Sequence, residues 1–302
     1  MNISSALNAI SAKCAENAPE SVYIGDDDLK HCAVCHAPLE TRVSFGGAER
    51  VMPCVCRCVQ EKETLQKQQR DAEEKRQRVE ALREKAIRHH NQRMWRFEAA
   101  DDPTEKHIRA ARWYVDTWTE HKKNGMGLIF LGNVGTGKTF VALCIANALI
   151  DMEVNVRVTD FRHILNALTS STTYDKNAII DEYVSCDLLI IDDLGAEYQT
   201  DFTLQYIEQV IDGCYNNGTP LILTTNTSLS EMKNPSDTKY SRIYSRILGR
   251  AVPISVTGED RRAKQGADYL KKMQQSLNLY SEQNNVPCRD FGETTTIGIK
   301  IT

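Results

Sequence analysis

The sequence has no apolar run near the roughly 18 residues that a membrane-spanning helix needs, and its longest runs are short ones such as Leu188–Ile191. Residues 1–19 lack the basic region and apolar core that mark a secretory signal. Basic residues are not in excess, because 37 Lys and Arg stand against 41 Asp and Glu, for a net charge of −4. These absences predict a cytosolic chain without a membrane partner, and they exclude a globally basic nucleic-acid binder.

What the chain does have is the composition of a folded protein. Hydrophobic residues make up 41% of its 302 residues and charged residues 26%, which excludes disordered and collagen-like classes. The length suggests two domains, or one large domain with an appendage. Ten cysteines are present, and six of them crowd the first fifth of the chain. In a reducing cytosol such a cluster favours a metal site over disulfides.

The cysteine cluster has the spacing of a structural zinc site. Cys32 and Cys35 form a C-x-x-C pair, and a C-x-C-x-C run follows. The segments Arg42–Phe45 and Glu49–Met52 flank Gly46-Gly47-Ala48, which predicts a hairpin that brings the two halves together. We predict four zinc ligands, Cys32, Cys35, Cys54 and Cys56, and we leave open that Cys58 or His36 replaces one of them. Unliganded thiols are the alternative.

Composition changes twice after this cluster. Residues 59–100 contain neither Gly nor Pro and are rich in Lys, Arg, Glu and Gln, which predicts one long, largely solvated helix. From about residue 104, apolar strand-like runs alternate with helical stretches, which predicts a parallel sheet between helices. The predicted strands are Leu128–Leu131, Val154–Thr159, Leu188–Ile191, Leu221–Thr225 and Val252–Val256. The predicted helices are Thr139–Asp151, Phe161–Leu168, Thr203–Tyr215 and Tyr240–Leu248.

A phosphate-binding loop follows the first of these strands. The pattern G-x-x-x-x-G-K-[ST] is complete between a predicted strand and a predicted helix. Its backbone N–H groups cradle phosphate oxygens, its Lys reaches the β- and γ-phosphates and its Thr hydroxyl binds Mg²⁺. The predicted nucleotide-binding residues are Gly132, Asn133, Val134, Gly135, Thr136, Gly137, Lys138 and Thr139.

Polar residues at the ends of two further strands complete a candidate NTPase site. Asp192 and Asp193 end an apolar strand, at the edge of the sheet where ligands bind. We predict that Asp192 associates with Mg²⁺ and that Asp193 orients or deprotonates the attacking water. Asn226 ends the next strand and either contacts the γ-phosphate or simply ends the strand in a turn. Arg242 and Arg246 share one helix face, as candidates for a transition-state arginine or as a solvated basic face.

In this order of motifs the chain resembles an AAA+ ATPase. Between about Met94 and Lys264 it resembles the DnaC/DnaI-type replicative helicase loaders and the related IstB-type transposition helper ATPases. The resemblance rests on Gly132–Thr139, on LLIIDDLG at 188–195, on LILTTN ending at Asn226, and on the SRIYSRIL helix. In the family's terms these are Walker A, Walker B, sensor 1 and the arginine-finger helix, with Arg246 preferred over Arg242 as the finger.

The resemblance implies ATP, Mg²⁺ and Zn²⁺ as cofactors, and a bacterial cytosolic protein, for which a phage or prophage origin stays open. It implies a ring-like or helical self-assembly that contacts single-stranded DNA and loads a DnaB-type helicase, with ATP binding and hydrolysis gating assembly and release. Most AAA+ proteins have Glu where this chain has Asp193, which suggests slow hydrolysis stimulated by DNA or a partner. Arg261 and Arg262 either replace the second sensor or form a surface basic pair.

These observations predict four segments. They are a zinc-binding module at 1–58, a charged helical linker at 59–100, an AAA+ ATPase domain at 101–264 and a polar tail at 265–302. Two other functions stay open from the sequence. One is an IstB-like transposition helper, and the other is a zinc-dependent interaction adaptor in which the nucleotide is only structural.

Overall fold

The structure, a computed structural model, describes residues 21–45, 47–170, 173–195 and 201–284. Two units can be distinguished, Met1–Arg78 and Val79–Thr302. Parts of three predictions lie outside the described residues: residues 1–20 of the zinc module, Gly46 of its hairpin and residues 285–302 of the tail. No helix in the described part of the chain is both long and apolar enough to cross a membrane.

The first unit is built from two short antiparallel sheets and a helix. Strands β1 (Val22–Ile24) and β2 (Lys30–Cys32) pair with each other, and β3 (Glu40–Phe45) pairs with β4 (Ala48–Pro53). The β3–β4 register, with Glu40 opposite Pro53, confirms the predicted hairpin. The hairpin carries the chain back beside its starting point, since the Cys54 N–H donates to Leu39 O at 2.8 Å.

Helix α1 (Arg57–Ala86) confirms a long charged helix but ends earlier than the predicted boundary near residue 100. Ile87, directly after it, is fully buried, and two 3₁₀ turns follow at His90–Met94 and Phe97–Ala99. The buried Asn147 side chain donates 3.0 Å hydrogen bonds to Gln92 O and Trp95 O. The prediction of one helix over 59–100 is therefore wrong in its last part, because burial there outweighs helix propensity.

The second unit is an α/β fold around five parallel strands. In chain order these are β5 (Gly127–Leu131), β6 (Val156–Asp160), β7 (Leu188–Leu194), β8 (Leu221–Thr225) and β9 (Ala251–Ser255). Their order across the sheet is β6-β7-β8-β5-β9. The helices are α2 (Lys106–Asp116), α3 (Trp118–Asn124), α4 (Lys138–Asp151), α5 (Phe161–Ser170), α6 (Thr173–Val184), α7 (Asp201–Asn217), α8 (Leu229–Lys233), α9 (Lys239–Arg250) and α10 (Arg261–Asn284).

Helices cover both faces of this sheet, as the sequence predicted. Along β5, Ile129 and Leu131 belong to one buried cluster, while Leu128 and Phe130 belong to the other. Successive side chains of a strand point to opposite faces, so a strand that is apolar throughout needs cover on both. The order of the strands places the carboxyl ends of β5, β7 and β8 side by side, where the predicted nucleotide residues lie.

Five of these helices were not predicted, namely α2, α3, α6, α8 and α10. Helix α6 lies between α5 and β7, so two helices, not one, link the neighbouring strands β6 and β7. Helix α10 occupies the first part of the predicted polar tail, and its described side chains are largely exposed.

Candidate functional site

The predicted phosphate-binding loop joins β5 to α4 and has the backbone shape that its glycines allow. Gly135 and Gly137 adopt φ values of +79° and +101°, which side chains with a Cβ rarely tolerate. A Cβ at Gly135 would also overlap the Asp260 carboxylate. Thr136 is buried and its hydroxyl donates to Asn133 O at 2.9 Å, whereas Val134 is exposed on the loop.

The Lys138 ammonium lies inside this loop. It donates hydrogen bonds of 2.8 Å to Gly132 O, 2.7 Å to Asn133 O and 2.7 Å to Asn226 Oδ1. Burial lowers the pKa of Lys138, and the carboxylates of Asp193 and Asp192 oppose that shift. A buried cation beside N–H groups at the start of a helix is suited to a phosphate anion.

Asp192 and Thr139 are neighbours, as the sequence predicted for a magnesium site. The Thr139 hydroxyl donates to Asp192 Oδ1 at 2.9 Å, and the Thr224 hydroxyl donates to the same oxygen at 2.6 Å. Burial raises the pKa of Asp192, and these two hydrogen bonds partly offset the shift. A hydroxyl and a buried carboxylate form the oxygen donor set that Mg²⁺ takes in such sites, so these residues fit the ion.

Asp193 is placed by a distortion of β7. The register between β7 and β8 shifts between Ile191 and Leu194, and Asp193 has a φ of +58°. In a regular strand, successive residues face opposite sides of the sheet, and a bulge can redirect a side chain. The Asp193 N–H donates to the Thr224 hydroxyl at 2.8 Å, and the Asn226 side-chain amide lies 3.5 Å from Asp193 Oδ1.

Thr224 is a site residue that sequence reasoning missed. It is buried on β8 and links Asp193, through its N–H, to the carboxylate of Asp192. The available signal was a pair of hydroxyl residues, Thr224 and Thr225, inside an otherwise apolar strand. A buried hydroxyl needs a hydrogen-bond partner, and these two find theirs on β7.

Arg242 and Arg246 lie on α9 and do not join this cluster in their own chain. Arg246 Nε is 2.7 Å from Asp212 on α7, whereas the Arg242 side chain is 79% exposed and lies 3.7 Å from the Glu208 carboxylate. Helix α9 leads into β9, so its C-terminal end lies at the sheet edge opposite the loop. Arg246 lines a small hollow there with Gly125, which precedes β5.

Arg261 contacts the loop from the start of α10. Its N–H donates to Gly135 O at 3.0 Å, and its guanidinium donates to Glu105 at 2.7 Å and to Asp101 at 3.1 Å. Arg261 therefore connects the loop to the segment that precedes α2. The charge of Arg262 contributes to the lowered pKa of Lys138.

The structure brings four thiols of the first unit together. The Sγ atoms of Cys32, Cys35, Cys56 and Cys58 all lie within 4.8 Å of one another. Cys32 and Cys35 lie on a tight turn after β2, with the His36 N–H donating to Cys32 O at 2.9 Å. Cys56 and Cys58 lie at the start of α1, where Gln60 N–H donates to Cys56 O.

The predicted ligands and their alternates differ in where the structure places them. The predicted ligand Cys54 is not in the cluster, and its thiol donates to Pro38 O at 3.1 Å. The alternate Cys58 lies in the cluster in its place. The physical reason is that Cys54 still continues the hairpin ladder, whereas α1 turns Cys58 back beside Cys56. The His36 ring lies outside the cluster, 3.2 Å from the Tyr23 hydroxyl.

The donor set fits a zinc ion. Hydrogen bonds from the N–H groups of Cys58 and Ala37 lower the pKa of Cys35 to about 6, and N–H groups of the same turn lower the pKa of Cys32. The neighbouring thiols of Cys56 and Cys32 raise the pKa of Cys58 to about 12. Four thiolates at this separation repel one another, so full ionisation needs a cation, and tetrahedral Zn²⁺ takes four such ligands.

Known proteins resemble the chain over this region. The family model described as IstB-like ATP binding protein matches residues 55–268. The replicative helicase loader DnaI of Bacillus subtilis is 32% identical over 163 residues, covering 49% of this chain and 51% of DnaI. The replicative helicase loader DnaC of Escherichia coli K12 is 27% identical over 128 residues, covering 41% of this chain and 51% of DnaC. The chain thus spans about half the length of these curated relatives.

Solved structures resemble it as well. The crystal structure of the DnaC helicase loader aligns at 22% identity with a TM-score of 0.49, covering 56% of this chain and all of that one. The crystal structure of DnaI aligns at 21% identity with a TM-score of 0.49, covering 58% of this chain and 95% of that one.

Proposed function

The chain belongs to the IstB-like ATP binding protein family, and on that premise we propose that it is an ATPase that binds Mg·ATP at Gly132–Thr139. The observation that carries the proposal is the meeting of three strand ends. Lys138, Asn226 and Asp193 form one chain of contacts, and Thr139 with Asp192 forms a second beside it. Hydrolysis of a nucleoside triphosphate needs a cation, a polar group that positions the phosphate, a carboxylate and a metal site close together.

Each residue has a role in this proposal. The triphosphate replaces Gly132 O, Asn133 O and Asn226 as the partner of the Lys138 ammonium, and the loop N–H groups hold its oxygens. Mg²⁺, held by Thr139 and Asp192, supplies charge neutralisation at the phosphate oxygens when bound. Asp193 orients or deprotonates the attacking water, and Asn226 positions the γ-phosphate against it. Arg246 is the preferred finger and Arg242 the second choice, each acting on the nucleotide of a neighbouring subunit.

Steady-state phosphate release tests the enzymatic part. Wild type should hydrolyse ATP slowly and faster with single-stranded DNA or a partner protein present. Lys138→Ala should abolish ATP binding, which isothermal titration calorimetry measures directly. Unchanged turnover in both Lys138→Ala and Asp193→Asn would exclude this site as the source of activity and favour a structural nucleotide.

The biological role proposed is the loading of a hexameric replicative helicase onto single-stranded DNA. Two observations support it: the relatives named above are helicase loaders, and a four-thiol unit, which we propose as the partner contact, precedes the ATPase region. We assign zinc-dependent partner binding to residues 1–58, a connecting role to 59–100, ATP-driven self-association to 101–264 and no role to 265–302.

Pull-down with and without ATP tests this role. A DnaB-type hexamer should be captured by the full chain and lost when the zinc ligands are replaced. The family description also favours a second candidate, the IstB-like transposition helper, which would capture a transposase. Capture of a transposase and no helicase would move the assignment to that candidate.

A further inference from the structure

A cavity of about 540 Å³ lies beside the nucleotide site, on the β6–β7 side of the sheet. Its walls come from residues 84–92, from residues 157–163 and from the face of α4 that carries Ala142 and Leu143. Thr139 and Asp192 lie at one end of it, but the loop residues 132–138 do not line it. Its volume falls in the range of small-ligand pockets, about 300–1,000 Å³.

Cations outnumber anions in this cavity, which we call the basic cavity. The cations are Lys85, Arg88, Arg157 and Arg162, with His89 and His163 beside them. The acids are Glu84, Asp160 and Asp192. Glu84 forms an ion pair with Arg93 at 3.4 Å. Asp160 accepts the His163 N–H at 2.8 Å and Asp192 accepts two hydroxyl groups, so both carboxylates are hydrogen-bonded by neutral donors. Arg157 is paired with Glu182.

Three of the cavity cations, Lys85, Arg88 and Arg162, form no ion pair with a carboxylate among the described residues. Two of them carry a guanidinium group, Arg88 and Arg162. Both are exposed, and in the described part of the chain no carboxylate lies within ion-pair distance of either. Arg88 instead donates to His163 Nδ1 at 3.2 Å, and an imidazole nitrogen accepts only when it is uncharged. Two segments 75 residues apart thus hold a guanidinium at the cavity without neutralising it.

The rest of the lining suits a ligand with an apolar part. Tyr183 is half-buried, and Val158 and Ile190 add aliphatic surface near it. A ring placed against Tyr183 could stack, while a phosphate attached to it could face the guanidinium groups. Guanidinium groups bind phosphate oxygens through paired N–H donors.

We propose that the basic cavity binds a phosphate group of a nucleotide-sized ligand, with Arg88 and Arg162 as its anchors, separately from the ATP held at Gly132–Thr139. A free nucleotide and one nucleotide of a single strand present the same group. The proposal is independent of the ATPase assignment, because none of its anchors belongs to the phosphate-binding loop.

Two probes test it on the full chain with its loop saturated by a non-hydrolysable ATP analogue and Mg²⁺. One is fluorescein-labelled hexathymidylate, followed by anisotropy, and the other is inorganic pyrophosphate, followed by calorimetry. The test variant is Arg88→Gln with Arg162→Gln. The matched control is Arg109→Gln with Lys123→Gln, which removes two exposed charges outside the cavity.

The test variant should weaken binding at least tenfold, while the control stays within about twofold of wild type. For hexathymidylate, the slope of log affinity against log salt should flatten by about 1.4, since each phosphate contact contributes about 0.7. Loss of pyrophosphate binding identifies a small ligand, and loss confined to hexathymidylate identifies a strand. Either result supports the proposal.

Equal affinities in wild type and the test variant, equal losses in the test and control variants, or no binding of either probe to wild type would overturn it. Thermal melting checks that the variants fold, and Arg162→Gln alone carries the comparison if the double variant melts early. ATP affinity measured in the same samples separates the two proposals. If wild type binds no ATP and the test variant still loses affinity for the probe, only the ATPase assignment is contradicted.

Discussion

Lys138 and Asn226 lie 88 residues apart in the chain, yet the Lys138 ammonium donates a 2.7 Å hydrogen bond to Asn226 Oδ1. The same Asn226 side chain faces Asp193 through its amide nitrogen at 3.5 Å. One neutral amide therefore touches both the cation assigned to the phosphates and the carboxylate assigned to the water. In the proposed mechanism, this single side chain would therefore link ATP binding to hydrolysis.

We expect Asn226→Ala to separate those two steps. Turnover should fall about 100-fold, as for the loss of one positioned polar group, because no side chain then positions the γ-phosphate relative to the water. ATP affinity should change less than about threefold, since Lys138 and the loop N–H groups remain. Phosphate release and calorimetry measure the two quantities, with the exposed Asn166→Ala as control. Parallel losses of affinity and turnover would contradict the assigned role.

Asp193 should respond differently to two conservative changes. Its φ of +58° is a conformation that Asn adopts readily and Glu does not. Asp193→Asn should leave the melting temperature unchanged and abolish turnover, because only the carboxylate charge is lost. Asp193→Glu should cost about 1 kcal/mol of unfolding free energy through backbone strain. Denaturant unfolding and phosphate release check both, and an Asn variant with normal turnover would remove Asp193 from the reaction.

Asp192 predicts a pH-dependent stability difference. Burial raises its pKa above 3.8 in the folded state, so the charged form is disfavoured by folding. Relative to a variant without this carboxylate, wild type without a cation should therefore lose stability as the pH rises from about 4 through that raised pKa. Asp192→Asn should match wild type at low pH and be more stable at pH 7. It should also lose Mg²⁺-dependent ATP binding.

Denaturant titrations between pH 3 and pH 8, without divalent cations, measure this difference. Asp181→Asn, at an exposed position, serves as the control, and its free energy of unfolding should change with pH as that of wild type does. If the unfolding free energies of Asp192→Asn and wild type differ by the same amount at every pH, burial of the Asp192 charge does not cause the difference.

Single cysteine substitutions should separate the zinc ligands from their neighbour. Cys58→Ser should reduce bound zinc from about one ion per chain to near zero and unfold the first unit, because a four-thiolate site supplies its folding free energy. Cys54→Ser should keep the metal, since the Cys54 thiol contacts Pro38 O and not the cluster. Metal content by mass spectrometry and far-ultraviolet dichroism report the two effects. Zinc loss in the Cys54 variant would restore the ligand set predicted from spacing.

Arg246→Ala should lower turnover more than tenfold and leave ATP affinity nearly intact if the arginine acts on a neighbouring subunit. Mixing this variant with Lys138→Ala should restore part of the activity, because each subunit then supplies what the other lacks. Arg242→Ala, measured in the same way, is the comparison. Loss of activity in the Arg242 variant alone would transfer the role to that more exposed side chain.

The residues of the proposed nucleotide site could be brought together from the sequence because each part of the site is local in sequence. A strand, a glycine loop and a helix specify the position of Lys138 and Thr139 within a dozen residues. The apolar sequences of β5, β7 and β8 likewise predict a sheet that is covered on both faces. The carboxyl ends of parallel strands lie at the same edge of such a sheet. The sequence could therefore predict that Asp192 lies beside the loop, and it offered Asn226 either as a second residue there or as a turn residue that ends its strand.

What the sequence determined, then, is the order of elements, the parallel sheet and the side chains gathered at its edge, because short-range patterns encode each of them. Only the tertiary structure decided which thiols meet, where α1 ends and how Asp193 turns toward Asn226. The bulge at Asp193, the burial of Ile87 and the return of Cys58 beside Cys56 each depend on contacts between distant segments. No local pattern records such contacts, since the free energy that fixes them comes from packing and hydrogen bonding across the fold.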